Sequence, residues 1–126
     1  MKINNIKWLD KSANEAEIII ADNEFSICCF AHPFKYNGYD EICKDIITFY
    51  LLDLDKIYYN KKNEYAVIKD KDYYSYILKG KIDTVNNCLI VGAFKFKFNT
   101  QNIPKDIWNN SFVEVHVPRI DLILEK

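Results

Sequence analysis

The segment CCFAHPFKYNGYDEIC, from Cys28 to Cys43, carries three of the chain's four cysteines and one of its two histidines, the residue types that bind zinc. In an extended strand, Cys28 and Cys29 would point to opposite faces, and Cys28 and His32 would lie about 13 Å apart. Zinc needs ligands at about 2.0–2.3 Å, usually from a C-x2-4-C knuckle, which this segment lacks. We therefore expect the cysteines to pack as small apolar groups, and we predict no metal site.

Few other residues are spaced for catalysis. The three glycines are isolated, so they cannot form a phosphate-binding or dinucleotide-binding loop. Cys43 and His32 could meet in space as nucleophile and base, but no motif supports that pair. Asp53 and Asp55 would share a strand face about 7 Å apart, where they could serve hydrolysis or a divalent cation, although a solvated strand face is the simpler interpretation. The sequence therefore predicts no catalytic residues, no cofactor and no enzyme.

Length and composition indicate a single domain spanning residues 1–126. The formal net charge is −1, so no overall field attracts nucleic acid or anionic lipid. The N-terminal segment lacks the apolar core of a signal peptide, and the longest apolar run is far too short to span a membrane. The residue usage is typical of an A/T-rich bacterial genome. We expect a bacterial, cytoplasmic protein with reduced cysteines and no membrane partner.

Alternating apolar residues predict strands in the first third of the chain. In Ala13–Ala21 the residues Ala16, Ile18 and Ile20 share one face, and Glu15 and Glu17 lie on the other. A turn at residues 22–23 leads to a second strand, whose buried face is predicted to carry Phe25, Ile27, Cys29 and Ala31. These two strands are predicted to form an antiparallel hairpin.

The segment Asp40–Asn60 fits two structures. Its apolar residues could line one face of a helix capped by Asp40, whereas its β-branched and aromatic content favours one long or two short strands. We favour strands. A hairpin turn at residues 61–63 would then return the chain through Tyr65–Lys69.

Two more strands are predicted downstream. In DYYSYILKGKIDTV, from Asp72 to Val85, alternation continues to Gly80, where a bulge or barrel corner is expected. After a turn at residues 86–87, CLIVGAFKFKFN is interpreted as one strand, with its even positions buried and its odd positions reaching water at Lys95 and Lys97.

The C-terminal region predicts the fold class. Pro104 predicts a single helical turn, because proline is tolerated at the first helical position. In the last strand the apolar residues move from odd to even positions at Pro118 and Arg119, which predicts a β-bulge. Six to eight strands with at most one short helix indicate an all-β or mainly β fold, an antiparallel barrel or sandwich.

The region from Lys56 to Lys81 has the most distinctive composition, with seven lysines, three acidic residues and six interleaved tyrosines. Lysines along a phosphate backbone and tyrosines stacked on bases would bind single-stranded nucleic acid. Clustered tyrosines would also suit a protein partner. The candidate binding surface consists of Tyr58, Tyr59, Lys61, Lys62, Tyr73, Lys79 and Lys81.

The closing segment IPKDIWNNSFVEVHVPRIDLIL, preceded by LKGKIDTV, resembles the end of small bacterial proteins with OB-like (oligonucleotide-binding-like) β-barrels. The resemblance rests on a Pro-Asp-Ile turn and a final Arg-hydrophobic-Asp sequence, here Pro104, Asp106 and Ile107 with Arg119, Ile120 and Asp121. Asn109 and Asn110 stand where that pattern favours Gly-Asp.

Several such proteins resemble immunity proteins, which are encoded beside toxins and block a toxin domain. The resemblance implies an OB-like barrel, a protein partner and no catalysis. We therefore predict a non-enzymatic protein-binding module, most concretely an immunity protein that neutralises a toxin domain. The alternative is an OB-like domain that binds single-stranded nucleic acid.

Overall fold

A computed structural model describes residues 1–34, 47–51, 56–98, 103 and 106–124. These residues form eleven β-strands and no helix, and so contain no helix that could cross a membrane. The all-β prediction is confirmed, with more strands than the six to eight expected. The strands are β1 Lys2–Asp10, β2 Glu15–Ala21, β3 Ser26–Ala31, β4 Ile47–Leu51, β5 Lys56–Tyr59, β6 Ala66–Lys69, β7 Tyr76–Asp83, β8 Cys88–Val91, β9 Phe94–Phe98, β10 Phe112–Val117 and β11 Ile120–Leu124.

All eleven strands belong to one mixed sheet. Its order is β1-β2-β3-β11-β4-β9-β8-β7-β10-β5, and β6 also pairs with β7. The pairs β3–β11 and β4–β9 are parallel, so the prediction of a purely antiparallel sheet is wrong. Only Pro118 and Arg119 connect β10 to β11, which lie far apart in the strand order, so the sheet must curl to bring them together. The described strands leave this curled sheet open, and it is not a closed barrel.

The predicted hairpin of β2 and β3 is confirmed. The strands pair antiparallel from Ala16 and Ala31 to Ala21 and Ser26. Asp22 stabilises the turn, because its Oδ1 accepts hydrogen bonds from the backbone N–H groups of Glu24 and Phe25 at 2.8 and 2.7 Å. The predicted core face is buried at Ile18, Ile20, Ile27 and Cys29, among others.

The segment from Cys88 to Phe98 is a hairpin, so its interpretation as one strand is wrong. β8 and β9 pair from Cys88 and Lys97 to Val91 and Phe94 around a two-residue turn at 92–93. Gly92 takes a φ of 60°, which favours glycine. The turn shifts the core-facing positions, which are Leu89 and Val91 before it and Phe94, Phe96 and Phe98 after it.

β5 and β6 are not partners, although the predicted turn between them is present. β5 pairs with β10, while β6 pairs with β7. β6 and β8 lie one after the other along the same edge of β7, and β10 occupies the opposite edge. Gly80 pairs with Val113 in regular register, so no bulge occurs there.

The change of buried positions at Pro118 is confirmed, but its cause is not a bulge within one ladder. Val117 and Ile120 are both buried, in strands with different neighbours. β10 lies between β5 and β7, whereas β11 lies between β3 and β4. Proline cannot donate to a ladder, which suits it to the point where the chain leaves one set of partners for another.

Other predictions fall partly or wholly outside the described residues. β4 and β5 confirm the preference for strands where Asp40–Asn60 is described, but 40–46 and 52–55, including Cys43, Asp53 and Asp55, lie outside the description. Ile103 lies in a bend and Asp106 in a turn, so the described part of the predicted helical turn is not helical, and Pro104 is not described.

Candidate binding surface

Three of the seven candidate residues lie on the same face of the sheet. Tyr58 on β5 and Lys79 on β7 are both aligned with Glu114 of β10, and Lys81 follows two residues along β7. Because alternate residues share a face, all three point away from the core. We call this side of β5, β10, β7 and β6 the outer face.

The other four candidates point elsewhere. Tyr59 alternates with Tyr58, and its hydroxyl donates to the backbone carbonyl of Asp106. Lys61 and Lys62 are exposed in the turn after β5, while Tyr73 lies in the loop between β6 and β7. The predicted residues therefore do not form one continuous patch.

A chain of charged groups occupies the centre of the outer face. The Nζ of Lys79 lies 3.2 Å from Oε1 of Glu64 and 3.8 Å from Oε1 of Glu114. The other carboxylate oxygen of Glu114 lies 2.8 Å from Nε2 of His116. Lys79 is thus neutralised by two carboxylates and is poorly placed to bind phosphate.

Aromatic and aliphatic side chains surround this charged centre. Tyr58 is 48% exposed and packs edge-on against His116, with 5.6 Å between ring centroids. Tyr65 lies 5.3 Å from Phe112, and Ile68 on β6 is 42% exposed. Exposed tyrosines beside satisfied polar groups are typical of protein interfaces.

The most exposed large apolar residues lie at one end of the β7–β10 pair, in a region we call the tip (residues 84–87 and 106–111). Trp108 is 76% exposed and Val85 is 75% exposed. The two turns are joined, because the N–H of Thr84 donates to Oδ1 of Asn109 at 2.8 Å. The N–H of Asn110 also donates to the carbonyl of Ile82 at 2.8 Å. The tip therefore presents its apolar residues from hydrogen-bonded turns.

The sequence prediction did not include Trp108 as a binding residue. The sequence feature that could have indicated its exposure is the position of the tryptophan among polar turn residues, in DIWNNS, without an alternating pattern of apolar neighbours. Burial normally follows such alternation, and a tryptophan without it is a candidate for exposure.

Glu17 is the second residue whose environment was wrongly predicted from the sequence. Alternation put Glu17 on the solvent face of β2, yet only 5% of it is exposed. The loop between β6 and β7 covers it, and the hydroxyls of Tyr73 and Tyr74 donate to its carboxylate. The Sγ of Cys28 donates to the same carboxylate at 3.4 Å. We call Glu17, Cys28, Tyr73 and Tyr74 the Glu17 cluster.

In the Glu17 cluster, the pKa of the Glu17 carboxyl is lowered, whereas the pKa values of Cys28 and Tyr73 are raised. Burial alone would raise the pKa of Glu17, but hydrogen bonds from Tyr73, Cys28 and Tyr74 lower that pKa below its ordinary value. Burial raises the pKa of Cys28 to about 12, with a further contribution from Glu17. The hydrogen bond to Glu17 raises the pKa of Tyr73 to about 12. One carboxylate thus accepts from neutral donors, and Cys28 is not an activated nucleophile.

We expect Cys28 to react slowly with iodoacetamide at pH 8. A pKa of about 12 instead of the ordinary 9.0 leaves roughly a thousandfold less thiolate at this pH. The higher nucleophilicity of a thiolate with a raised pKa restores only part of the lost reaction rate. Glu17→Gln removes the negative charge, so alkylation of Cys28 should accelerate several-fold. Peptide mapping by mass spectrometry measures the rate at Cys28 alone.

Tyr74→Phe is the matched control, because it removes one donor to Glu17 and keeps the charge beside Cys28. The rate at Cys28 should then stay close to wild type. Equal rates in Glu17→Gln and wild type would contradict the electrostatic role of Glu17.

The cysteines and histidines remain separate in the described part of the chain. Cys28 and Cys29 point to opposite faces as predicted, with Cys29 fully buried in the core. Nε2 of His32 lies 3.9 Å from Oε1 of Glu15 on the neighbouring strand. No three His, Cys, Asp or Glu side chains among the described residues converge in a metal-binding arrangement.

The outer face and the tip are the candidate binding surface, since they combine exposed aromatic anchors with satisfied polar groups. Comparison of the chain with known proteins found no matching family model, no matching curated protein and no matching solved structure.

Proposed function

We propose that this protein is a non-enzymatic protein-binding module that docks a partner through the tip and the adjoining outer face. In its most concrete form, the partner is a toxin domain that the protein neutralises as an immunity protein. Two parts of this proposal rest on the resemblance of the C-terminal segment. They are the identity of the partner as a toxin and a functional relation to proteins with OB-like barrels.

The exposure of Trp108 is the observation that carries the proposal. An indole that is 76% exposed leaves a large apolar area in water, although burial of such a ring is strongly favourable. Tryptophan is enriched among the residues that dominate interface energies. The turn hydrogen bonds at Thr84 and Asn110 hold the loop in place, so binding costs little additional ordering.

The charges of the outer face favour a protein over nucleic acid. A backbone-binding surface needs lysines that are free to replace counterions on phosphates. The central Lys79 instead has two carboxylate partners, Glu64 and Glu114. The alternative of single-stranded nucleic-acid binding retains Tyr58 as a stacking residue and Lys61 and Lys62 in the adjoining turn.

Trp108→Ala should weaken partner binding by about 30-fold or more, which corresponds to the roughly 2 kcal/mol expected of a central interface tryptophan. Tagged wild-type protein would be used as bait in nuclease-treated lysate of the native host, and the captured material would be analysed for protein and nucleic acid. The captured protein would then be purified, and its Kd measured against wild type and variant. For the toxin assignment, the captured protein expressed alone should arrest growth, and co-expression of this chain should restore it.

Leu9→Ala on β1 is the control, because Leu9 is an exposed apolar residue outside the proposed surface. Its Kd should equal that of wild type. A stoichiometric partner that binds Trp108→Ala as tightly as wild type would refute docking at the tip. Nuclease-sensitive nucleic acid without a protein partner, lost as salt rises from about 50 to 200 mM, would replace the proposal by the alternative.

A further inference from the structure

A cleft of about 630 Å³ lies beside β8 and β9 and borders the tip at Asn86. Its lining combines apolar, cationic, anionic and hydroxyl-bearing side chains, which include Thr48, Phe49, Asp83, Cys88, Lys95 and Lys97. This volume lies within the range of about 300–1,000 Å³ typical of small-molecule sites.

The pairing of β4 and β9 explains the cleft. Their parallel ladder runs only from Phe49 and Phe96 to the ends of the two strands. Before that point no described pair joins Thr48 to Lys95, and each strand is held there only by its other neighbour, β11 or β8. The beginnings of β4 and β9 are therefore not joined to each other in the described ladders, and a gap remains between them.

The charged side chains of the cleft have an excess of cations. Lys95 and Lys97 alternate along β9 and so project from the same face, about 7 Å apart. Within the described part of the chain, neither lysine forms a salt bridge. The carboxylate oxygens of Asp83 are used in the adjoining turn, where Oδ1 accepts from the N–H groups of Val85 and Asn86 at 3.0 Å. Two lysines thus outnumber one carboxylate in the lining, and Nζ of Lys97 also lies 6.0 Å from the ring centroid of Tyr50.

The remaining lining supplies apolar contact. Phe49 and Cys88 are almost fully buried, so the accessible apolar contact comes from Met1 and Ala93, and Thr48 also lines the cleft. An apolar wall with a few converging polar groups is the usual composition of a site for an organic ligand.

We propose that this cleft binds a small organic anion with an aromatic body, whose charged group is held by Lys95 and Lys97 and whose ring lies against the accessible side chains of Met1 and Ala93. An aromatic phosphate, sulfonate or carboxylate has this chemistry. Among the described lining residues only Asn86 belongs to the tip, and Trp108 is not one of them, so the anion site goes beyond the proposed protein binding and does not depend on it.

The test uses the fluorescent aromatic sulfonate 1-anilinonaphthalene-8-sulfonate and its uncharged analogue N-phenyl-1-naphthylamine. We expect saturable one-site binding of the sulfonate and much weaker binding of the neutral dye. The double variant Lys95→Gln/Lys97→Gln should weaken sulfonate binding by about tenfold or more, because it removes two charge-assisted contacts. Phenyl phosphate should displace the sulfonate at lower concentration than inorganic phosphate does.

The double variant Lys11→Gln/Lys71→Gln is the matched control, because it removes the same charge at two exposed positions outside the cleft. Its sulfonate affinity should equal that of wild type. Thermal melts of both variants show whether they are folded, so that a change in dye binding reports the site. Equal sulfonate affinity in wild type and Lys95→Gln/Lys97→Gln, or equal affinity for the charged and neutral dyes, would overturn the proposal.

Discussion

Phe96→Ala is expected to lower the free energy of unfolding by about 3–5 kcal/mol. Phe96 is fully buried in β9, and its ring lies 5.6 Å from Phe49 and is stacked on Phe94 at 5.9 Å. Alanine would remove these contacts and leave a cavity among rings that cannot all move inwards. Since a domain of this size is stable by about 5–15 kcal/mol, the loss should be plain in a urea titration.

Phe96→Leu is the matched variant, since leucine keeps the site apolar and fills most of the volume. Its loss should be smaller, roughly 1–2 kcal/mol. If Phe96→Ala cost no more than Phe96→Leu, Phe96 would not be at the centre of the core.

Gly80→Ala should destabilise the protein by about 1–3 kcal/mol or more, although it adds only one methyl group. A Cβ at position 80 would lie 2.2 Å from the carbonyl oxygen of Ile90 and 2.8 Å from Cγ2 of Val91. The carbonyl belongs to the backbone of β8, so relief of the clash requires β7 and β8 to move apart. Amide hydrogen exchange at Ile90 and Val91 should therefore accelerate along with the loss of stability.

Lys81→Ala serves as the control for Gly80→Ala, because Lys81 is the next residue of β7 and points to the outer face. Its effect should stay within about 0.5 kcal/mol. A Gly80→Ala variant as stable as Lys81→Ala would show that β7 and β8 are not in close contact at this position. A glycine within a strand marks either a bulge or a place where another backbone comes close. Because no bulge occurs at Gly80, the close approach of β8 accounts for the glycine.

The two surface proposals differ in the residues they need. Partner docking depends on Trp108 at the tip, whereas anion binding depends on Lys95 and Lys97 beside β9. Trp108→Ala should leave the anion cleft intact, and Lys95→Gln/Lys97→Gln should leave the tip intact. Each variant is therefore an internal control for the other.

Only part of the candidate site could be predicted from the sequence. The composition between Lys56 and Lys81 drew attention to Tyr58 and Lys79, which lie together on the outer face, but it could not show that Glu114, far along the chain, neutralises Lys79. The same reasoning placed Glu17 in solvent, because alternation within β2 contains no information about the loop that covers it. In both cases the missing information was a contact between residues distant in sequence.

Three features could be predicted from the amino-acid sequence: the all-β class, the hairpin of β2 and β3, and the switch of buried positions at Pro118. These features depend on the two-residue period of a strand and on local turn chemistry, both of which are visible within a few residues. The partners of β5 and β6, the parallel pairs and the exposure of Trp108 could not be predicted and became visible in the folded chain. The pairing of strands that are distant in sequence depends on how the whole core packs. The alternation within a single strand therefore does not reveal which strand it will pair with.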